Sequence, residues 1–323
     1  PDIVVDNAGS CQGYVDHGAL PATRTRRAAS LGGAPLDLVI ADVTGDSRPD
    51  LVAGMATGRE VAILVNNGGQ PNTWSLATAG TNNGLYQSGA CVDVGDLAGD
   101  SRPDIAVGFN DYTMAEDHIL INNGGSPSTW AQTNFNRGLH TTLDALRVAD
   151  VSGDGLNDLA MAQRGYFNVY FNNGGSPGSW PGSYLGSGSE GGRSKSACDV
   201  ADMDGDGLQD TLMIDGMKAF CVRLHSGASP FSETNRAYDV GDYSTDPSGL
   251  KAVDINHDGR MDVAYIGASG QLFALMNNGG APNAWLNYPL AHSTPEPYAA
   301  HDMDQADFNG DGYSDLVVNY SFS

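Results

Sequence analysis

The nine-residue segment Asp202-Met-Asp-Gly-Asp-Gly-Leu-Gln-Asp210 carries aspartate at its first, third, fifth and ninth positions. Related segments, here called aspartate loops, occur six times, and their first aspartates are separated by 54, 54, 52, 52 and 53 residues. The six aspartate loops are residues 42–50, 96–104, 150–158, 202–210, 254–262 and 307–315. A nearly constant period of this length indicates a repeat architecture.

A second motif, Asn-Asn-Gly-Gly followed by a tryptophan, keeps step with the aspartate loops. It spans Asn66–Trp74, Asn122–Trp130, Asn172–Trp180 and Asn277–Trp285, and these four are all the tryptophans of the chain. Between the motifs lie short runs rich in Val, Ile and Leu, separated by Gly, Pro, Asn and Asp, with no sustained helical period. Four antiparallel strands (A to D) per repeat are typical of a propeller blade. The sequence therefore predicts an all-β fold.

The two ends of the chain predict the number of blades. Residues 2–10 align without a gap with the C strand at His118–Ser126, whereas residues 300–323 supply only an A and a B strand. We therefore expect a single six-bladed β-propeller domain over 1–323, whose closing blade takes A and B from the C-terminus and C and D from the N-terminus. The closing blade is 1–30 with 300–323, and the other five are 36–80, 89–137, 143–190, 196–240 and 248–291.

Charged residues recur, with one exception in the first repeat, at one position of the predicted A strands, three residues before each aspartate loop. The residues there are Val39, Asp93, Arg147, Asp199, Lys251 and Asp304. Strand alternation places them on one face, and we expect that face to line a central channel. Two interpretations are open: mutual neutralisation of charges in a wet channel, or a ligand site.

The aspartate loops have the chemistry of a site for a hard cation. Oxygen groups at positions 1, 3, 5 and 9, with a backbone carbonyl at position 7, can surround an ion that takes six to eight oxygens. Glycine at position 6 permits the sharp turn. Without a cation, the clustered carboxylates would repel one another. The sequence therefore predicts Ca²⁺ sites.

The aspartate loops, followed by Asp-[Leu/Ile/Val]-[Ala/Val]-Val and by a strand ending in Asn-Asn-Gly-Gly, resemble the FG-GAP/VCBS repeats of integrin-α-type propellers. The resemblance covers essentially the whole chain and implies a calcium ion between strands A and B of each blade. Loop 42–50 departs from the pattern at Thr44 and Ser47, and loop 96–104 departs further, at Ala98 and Ser101. The predicted ligands are Asp42, Thr44, Asp46, Arg48 and Asp50; Asp96, Asp100, Arg102 and Asp104; Asp150, Ser152, Asp154, Leu156 and Asp158; Asp202, Asp204, Asp206, Leu208 and Asp210; Asp254, Asn256, Asp258, Arg260 and Asp262; and Asp307, Asn309, Asp311, Tyr313 and Asp315.

The tryptophans and the cysteines each allow more than one interpretation. A tryptophan at a fixed repeat position can stack on a sugar or fill the space between blades, and the fixed position favours packing. Cys198 and Cys221 share a predicted blade, but strand B lies between them, and two strand spacings of ~9.6 Å exceed the reach of a disulfide. Buried free thiols are therefore compatible with the sequence, and the cysteines do not identify the compartment.

Charge and hydropathy exclude a nucleic-acid partner and a membrane span, and the aspartate loops indicate the compartment. The formal net charge of −23 excludes a nucleic-acid backbone as a partner. No apolar run approaches the ~18 residues of a membrane span. Aspartate loops without the glutamate of an EF-hand fit millimolar extracellular calcium, so we expect an extracellular, secreted or cell-surface protein. The chain does not begin with Met, and a processed N-terminus is the expectation.

The predicted loops between strand D and the next strand A hold most of the polar and aromatic residues that the repeats do not share. We expect this face to bind a ligand, with candidate residues Tyr86, His140, Arg193, Tyr243, His292, Tyr298 and His301. The resemblance to fungal integrin-like propeller lectins favours a carbohydrate-binding protein, with a glycan or an extracellular protein as partner. Two alternatives stay open: a polysaccharide lyase or other sugar-modifying enzyme, and a structural or adhesion subunit. No nucleophile elbow, zinc signature or phosphate loop is present, so the sequence leans against an enzyme.

Overall fold

The structure is a computed structural model. It describes residues 3–7, 10–15, 25–31, 35–55, 61–68, 73–80, 89–109, 116–125, 129–136, 143–163, 166–187, 196–215, 219–225, 227, 233–239, 249–267, 271–279, 285–290, 298–306 and 314–322. These residues confirm the all-β prediction, because their only helix is the single 3₁₀ turn Pro177–Ser179.

Five antiparallel sheets of four strands follow one another along the chain. The first contains β4 (Pro35–Ala41), β5 (Asp50–Met55), β6 (Val61–Asn66) and β7 (Trp74–Ala79), and the second contains β8 (Gly89–Gly95), β9 (Asp104–Phe109), β10 (Glu116–Asn122) and β11 (Trp130–Asn136). The third contains β12 (Ala145–Ala149), β13 (Asp158–Gln163), β14 (Tyr166–Tyr170) and β15 (Gly182–Ser187). The fourth contains β16 (Ser196–Ala201), β17 (Asp210–Asp215), β18 (Ala219–His225) and β19 (Glu233–Asp239), and the fifth contains β20 (Gly249–Val253), β21 (Asp262–Ile266), β22 (Leu272–Met276) and β23 (Leu286–Pro289).

The termini form two further sheets. At the N-terminus, β1 (Ile3–Asn7), β2 (Ser10–Val15) and β3 (Thr25–Ser30) pair in that order. At the C-terminus, β24 (Tyr298–Ala306) pairs with β25 (Asp315–Phe322). Strands β1 and β2 occupy the place expected for C and D, whereas β3 is an additional strand that the sequence did not predict. A sixth blade built from both ends stays a prediction.

Contacts between Cα atoms divide the chain into two compact units, residues 1–148 with 172–181 and residues 149–171 with 182–323. In the first unit a buried cluster includes Val52, Ile63, Val92, Ile105 and Leu120. The second unit has its own cluster, which includes Leu212, Phe220, Val222, Leu250 and Tyr265.

The second strand is deeply buried in the four-stranded sheets. Every residue of β5, β9 and β13 is buried, and these strands read as continuous apolar runs after an initial aspartate. Such runs are expected where both faces of a strand are covered, in contrast to the alternation of a half-exposed strand. This burial carries the last residue of each aspartate loop into the interior.

Charged residues of the predicted row on the first strands make contacts with the neighbouring sheet. Oδ2 of Asp93 accepts a hydrogen bond of 2.7 Å from the Val148 amide, and Oδ2 of Asp199 accepts one of 2.9 Å from Ala252. The Lys251 ammonium lies 3.1 Å from a carboxylate oxygen of Asp304. The Lys251–Asp304 pair neutralises two opposite charges, whereas Asp93 and Asp199 use their carboxylates to join neighbouring sheets. These contacts favour a structural role for the row over a ligand site.

Trp180 and Trp285 pack against the preceding sheet. Trp180 is buried and its ring lies 6.2 Å from that of Phe135, while the ring of Trp285 lies 6.3 Å from that of Phe220. The Trp180 indole also donates a hydrogen bond to the Gly175 carbonyl. These contacts favour packing over sugar stacking for the tryptophans.

Cys91, Cys198 and Cys221 are buried. In the register of the fourth sheet, Met213 pairs with Cys198 on one side and with Cys221 on the other. The intervening strand keeps these two cysteines apart, as the sequence predicted.

Candidate functional site: the aspartate loops

Each aspartate loop within the described residues connects the first and second strands of a sheet. Its ninth residue begins the second strand and is at most 1% exposed. The residues at this position are Asp50, Asp104, Asp158, Asp210 and Asp262. Buried carboxylates require hydrogen bonds or a cation to offset the loss of water.

The ninth aspartate joins its loop to the third strand. In loop 202–210, Oδ2 of Asp210 accepts a hydrogen bond from the Met203 amide and Oδ1 accepts one from the His225 amide. Asp50, Asp104 and Asp262 make the same two connections. These bonds fix the position of the carboxylate before any ion is present.

Burial dominates the electrostatics of this position. It raises the pKa of Asp210 to about 6, with the negative charges of Asp204 and Asp206 acting in the same direction and the two backbone hydrogen bonds opposing it. Burial also raises the pKa values of Asp50, Asp104 and Asp262 above that of an ordinary aspartate. A nearby cation would reverse this effect, because it favours the charged form.

The carboxylate of the first aspartate accepts hydrogen bonds from backbone amides of its own loop and so stabilises the turn. Oδ1 of Asp202 accepts hydrogen bonds from the Gly205 and Asp206 amides, and Oδ2 accepts one from Gly207. Gly207 has φ +89°, a left-handed conformation that suits glycine. In loops 42–50 and 96–104 the equivalent residues are Ser47 and Ser101, both with φ 66°. These serines adopt the turn at a conformational cost.

The third position distinguishes the loops. In loop 202–210, one carboxylate oxygen from each of Asp202, Asp204 and Asp210 lies within 4.8 Å of the others, close enough to share a metal ion. In loop 150–158, Oγ of Ser152 is buried and has no hydrogen-bond partner among the described residues. A buried hydroxyl without a partner at a predicted ligand position fits a cation site. In loop 96–104 the residue is Ala98, which offers no side-chain oxygen.

The seventh position carries an interaction that the sequence reasoning missed. The guanidinium groups of Arg48, Arg102 and Arg260 each form an ion pair with the carboxylate at position 5 of their own loop. The prediction assigned these arginines only a carbonyl. The recurrence of Arg two residues after Asp, in Asp-x-Arg, was the available signal.

The first asparagine of the Asn-Asn-Gly-Gly motif was also interpreted too narrowly, as part of a turn. The side-chain nitrogen Nδ2 of this asparagine donates a 2.9 Å hydrogen bond to a backbone carbonyl of the preceding sheet. That carbonyl belongs to the second residue of the aspartate loop. The pairs are Asn122 with Val43, Asn172 with Leu97 and Asn277 with Met203. Loops 42–50, 96–104 and 202–210 are thereby tied to the next repeat. His225 takes the asparagine position in the fourth sheet.

Other predicted residues lie outside what the structure describes. Residues 307–313 of the sixth aspartate loop are among them, and for Asp315 only the backbone, at the start of β25, is described. Of the predicted ligand-face residues, Tyr86, His140, Arg193, Tyr243 and His292 lie outside the described residues. Tyr298 and His301 belong to β24, but their side chains are not described. The ligand face therefore stays a prediction.

The aspartate loops match a known repeat. A profile described as the FG-GAP-like repeat matches residues 42–107, 150–213, 202–265 and 254–318, which is more than half of the chain. The chain belongs to the FG-GAP-like repeat family. The resemblance to FG-GAP repeats, drawn from the aspartate loops and the Asn-Asn-Gly-Gly motif, is thereby confirmed.

Solved structures share the fold of this FG-GAP-like chain. One is a lectin of Agrocybe aegerita, described as recognising non-reducing terminal N-acetylglucosamine; it is 20% identical with a TM-score of 0.60, over 89% of this chain and 76% of the lectin. Another is BBS1N in complex with ARL6DN, 10% identical with a TM-score of 0.60, over 98% of this chain and 84% of that one. Raptor of Chaetomium thermophilum is 14% identical with a TM-score of 0.56, and all of this chain matches 26% of it.

Neither the curated proteins nor the helices of the described residues add a further indication of function. No curated protein matches the FG-GAP-like chain in sequence. Among the described residues, no helix has the length and hydropathy needed to cross a membrane.

Proposed function

We propose that this protein is a calcium-stabilised β-propeller that binds carbohydrate outside the cell or at its surface. The observation that carries the calcium part is the set of oxygens in loops 150–158 and 202–210. Three carboxylates converge in loop 202–210, and a buried hydroxyl that has no partner among the described residues occupies the third position of loop 150–158. Calcium would neutralise these carboxylates and link strands A and B, and such oxygen-rich sets suit it.

The predicted ligands divide by how fully they fit this role. Loop 202–210 offers four aspartates and loop 150–158 offers three aspartates and Ser152. Loop 254–262 offers Asp254, Asn256, Asp258 and Asp262, and loop 307–315 has the same pattern. Loops 42–50 and 96–104 have poorer sets, because they carry Thr44 and Ala98 at position 3. We propose that calcium occupies the loops in about this order.

The carbohydrate part rests on likeness of fold to a lectin over most of both chains. That lectin is described as recognising terminal N-acetylglucosamine, so glycans ending in N-acetylglucosamine are the first ligands to test. The loops between each fourth strand and the next first strand are the proposed binding region, because they differ most from one repeat to another. We further propose that six blades close through the two termini.

A glycan array probed with the full chain tests the proposal. Binding to a defined glycan class in millimolar calcium, lost in excess chelator and restored by added calcium, is the expected result. Binding that persists in chelator would separate carbohydrate recognition from calcium. An array without signal in calcium, from protein shown to be folded by circular dichroism, would reject the lectin function.

A further inference from the structure

The seventh residue divides the described aspartate loops into two classes. It is arginine in loops 42–50, 96–104 and 254–262 and leucine in loops 150–158 and 202–210. The loops of the arginine class contain three aspartates each, and the arginine reduces their negative formal charge from −3 to −2. The loops of the leucine class carry −3 and −4, with no basic residue to offset the carboxylates.

Each arginine is held in place by its own repeat. Nε of Arg48 donates a 2.8 Å hydrogen bond to the Asn66 carbonyl, and Nε of Arg102 donates one of 2.7 Å to Asn122. Nε of Arg260 donates one of 3.1 Å to the Asn277 carbonyl. A guanidinium fixed at Nε presents its terminal nitrogen in a defined direction, which a free surface arginine would not do.

That terminal nitrogen forms an ion pair with the carboxylate at position 5 of the same loop. In loop 254–262, Oδ1 of Asp258 accepts a hydrogen bond from the Arg260 amide, while Oδ2 pairs with the Arg260 guanidinium and accepts a 3.2 Å bond from the Asn256 amide group. Both oxygens of Asp258 are engaged. Asp46 and Asp100 are engaged at both oxygens by Arg48 and Arg102 in the same way.

The corresponding aspartates of the leucine class keep one oxygen open. Oδ1 of Asp154 accepts a bond from the Leu156 amide, and Oδ1 of Asp206 accepts one from Leu208. No donor to Oδ2 of Asp154 or Asp206 is found within the described part of the chain. The converging carboxylates and the unpartnered hydroxyl described above also belong to this class.

We propose that Arg48, Arg102 and Arg260 act as built-in cations, so that their loops hold their shape without a divalent ion and bind calcium more weakly than loops 150–158 and 202–210. This inference rests on the proposed calcium function. Calcium entering an arginine loop must displace the guanidinium from position 5 or do without that ligand. Loop 254–262 suits the test best among the arginine loops, because it has oxygen-bearing side chains at positions 1, 3, 5 and 9 and glycine at position 6.

The deciding experiment is isothermal titration of the metal-free full chain with calcium chloride, comparing the parent protein with the Arg260→Leu variant. We expect Arg260→Leu to raise the calcium affinity of one site by about two- to fivefold, because an exposed ion pair no longer competes. The Arg147→Leu variant is the control, since it removes one positive charge from β12, outside every aspartate loop. It should leave the site affinities unchanged.

The reciprocal variant Leu156→Arg should weaken one tight site by a similar factor. Leu156→Arg also keeps the inference testable if Arg260→Leu fails to fold. Arginine already occupies the seventh position of three other loops, so the fold accepts it there. Unchanged or lower affinity in folded Arg260→Leu, together with unchanged affinity in Leu156→Arg, would overturn the inference while leaving the calcium function in place. No calcium binding in the parent protein would instead reject the calcium function itself.

Discussion

The side-chain amide of Asn122 donates a 2.9 Å hydrogen bond to the backbone carbonyl of Val43, which lies 79 residues earlier in the sequence. The same amide also donates to the Pro103 carbonyl at 3.1 Å, and Asn122 is buried. One side chain therefore joins the aspartate loop of its own repeat to the loop of the preceding repeat. Its removal would delete both of these hydrogen bonds from a buried position.

We therefore expect Asn122→Ala to lower the free energy of unfolding by about 1–3 kcal/mol, the usual cost of leaving buried polar groups unsatisfied. The control is Asn123→Ala, because Asn123 is the adjacent residue of the same motif and its side chain is exposed. Urea denaturation of both variants measures the difference. Equal losses in the two variants would show that the motif acts only as a turn.

A second prediction concerns the carboxylates that link first strands. Asp199→Ala removes the acceptor of the Ala252 amide and should cost about 1–3 kcal/mol of stability. Asp304 pairs with Lys251 but its side chain is 65% exposed, so Asp304→Ala should cost at most about 1 kcal/mol. Denaturation curves of the two variants check this ranking, and a larger loss at Asp304 would reverse the interpretation of the charged row.

A third prediction concerns the strained serine of loop 96–104. Ser101 has φ 66°, where a residue with a Cβ atom is disfavoured, and Ser101→Gly should therefore stabilise the protein by about 0.5–1 kcal/mol. Ser101→Ala keeps the Cβ atom and removes only the hydroxyl, so it should bring no gain. Thermal melts in excess chelator measure the backbone effect alone, and a glycine variant less stable than the alanine variant would contradict it.

A fourth prediction concerns pH and the buried ninth aspartates. The pKa of Asp210 is about 6 in the folded chain, against 3.8 for an ordinary aspartate. Because the folded state binds this proton more tightly than the unfolded state, stability without metal should fall as pH rises from about 4 to about 6. The raised pKa values of Asp50, Asp104 and Asp262 act in the same direction.

Urea denaturation of metal-stripped protein at pH 5, 6 and 7 tests this sign. We expect the urea midpoint to decrease from pH 5 to pH 7. Calcium added at pH 7 should raise the midpoint there and so reduce its difference from the value at pH 5. Asp210→Asn, which cannot ionise, should show a flatter profile than the parent protein. A midpoint that increases with pH in the absence of metal would contradict the assignment.

The repeat period and the strand boundaries were accessible from sequence, because aspartate, glycine and asparagine recur at turns that every repeat must make. The burial of Asp50 and its equivalents follows from their place before continuous apolar runs. The contact between Asn122 and Val43 was not accessible, since it joins residues from two repeats and depends on how neighbouring sheets pack. The additional strand β3, within residues 25–30, was missed because Thr-Arg-Arg-Ala-Ala-Ser has weak strand propensity.

The central claim is that calcium stabilises this fold through its aspartate loops. The most direct test is the melting temperature of the full chain in millimolar calcium and in excess chelator, with magnesium as the comparison ion. We predict a melting temperature several degrees lower in chelator, since ligand at ~100 times its Kd contributes about 2.7 kcal/mol per site. Magnesium should restore it poorly, because it requires smaller octahedral geometry. Identical melting temperatures in calcium and in chelator would contradict the claim.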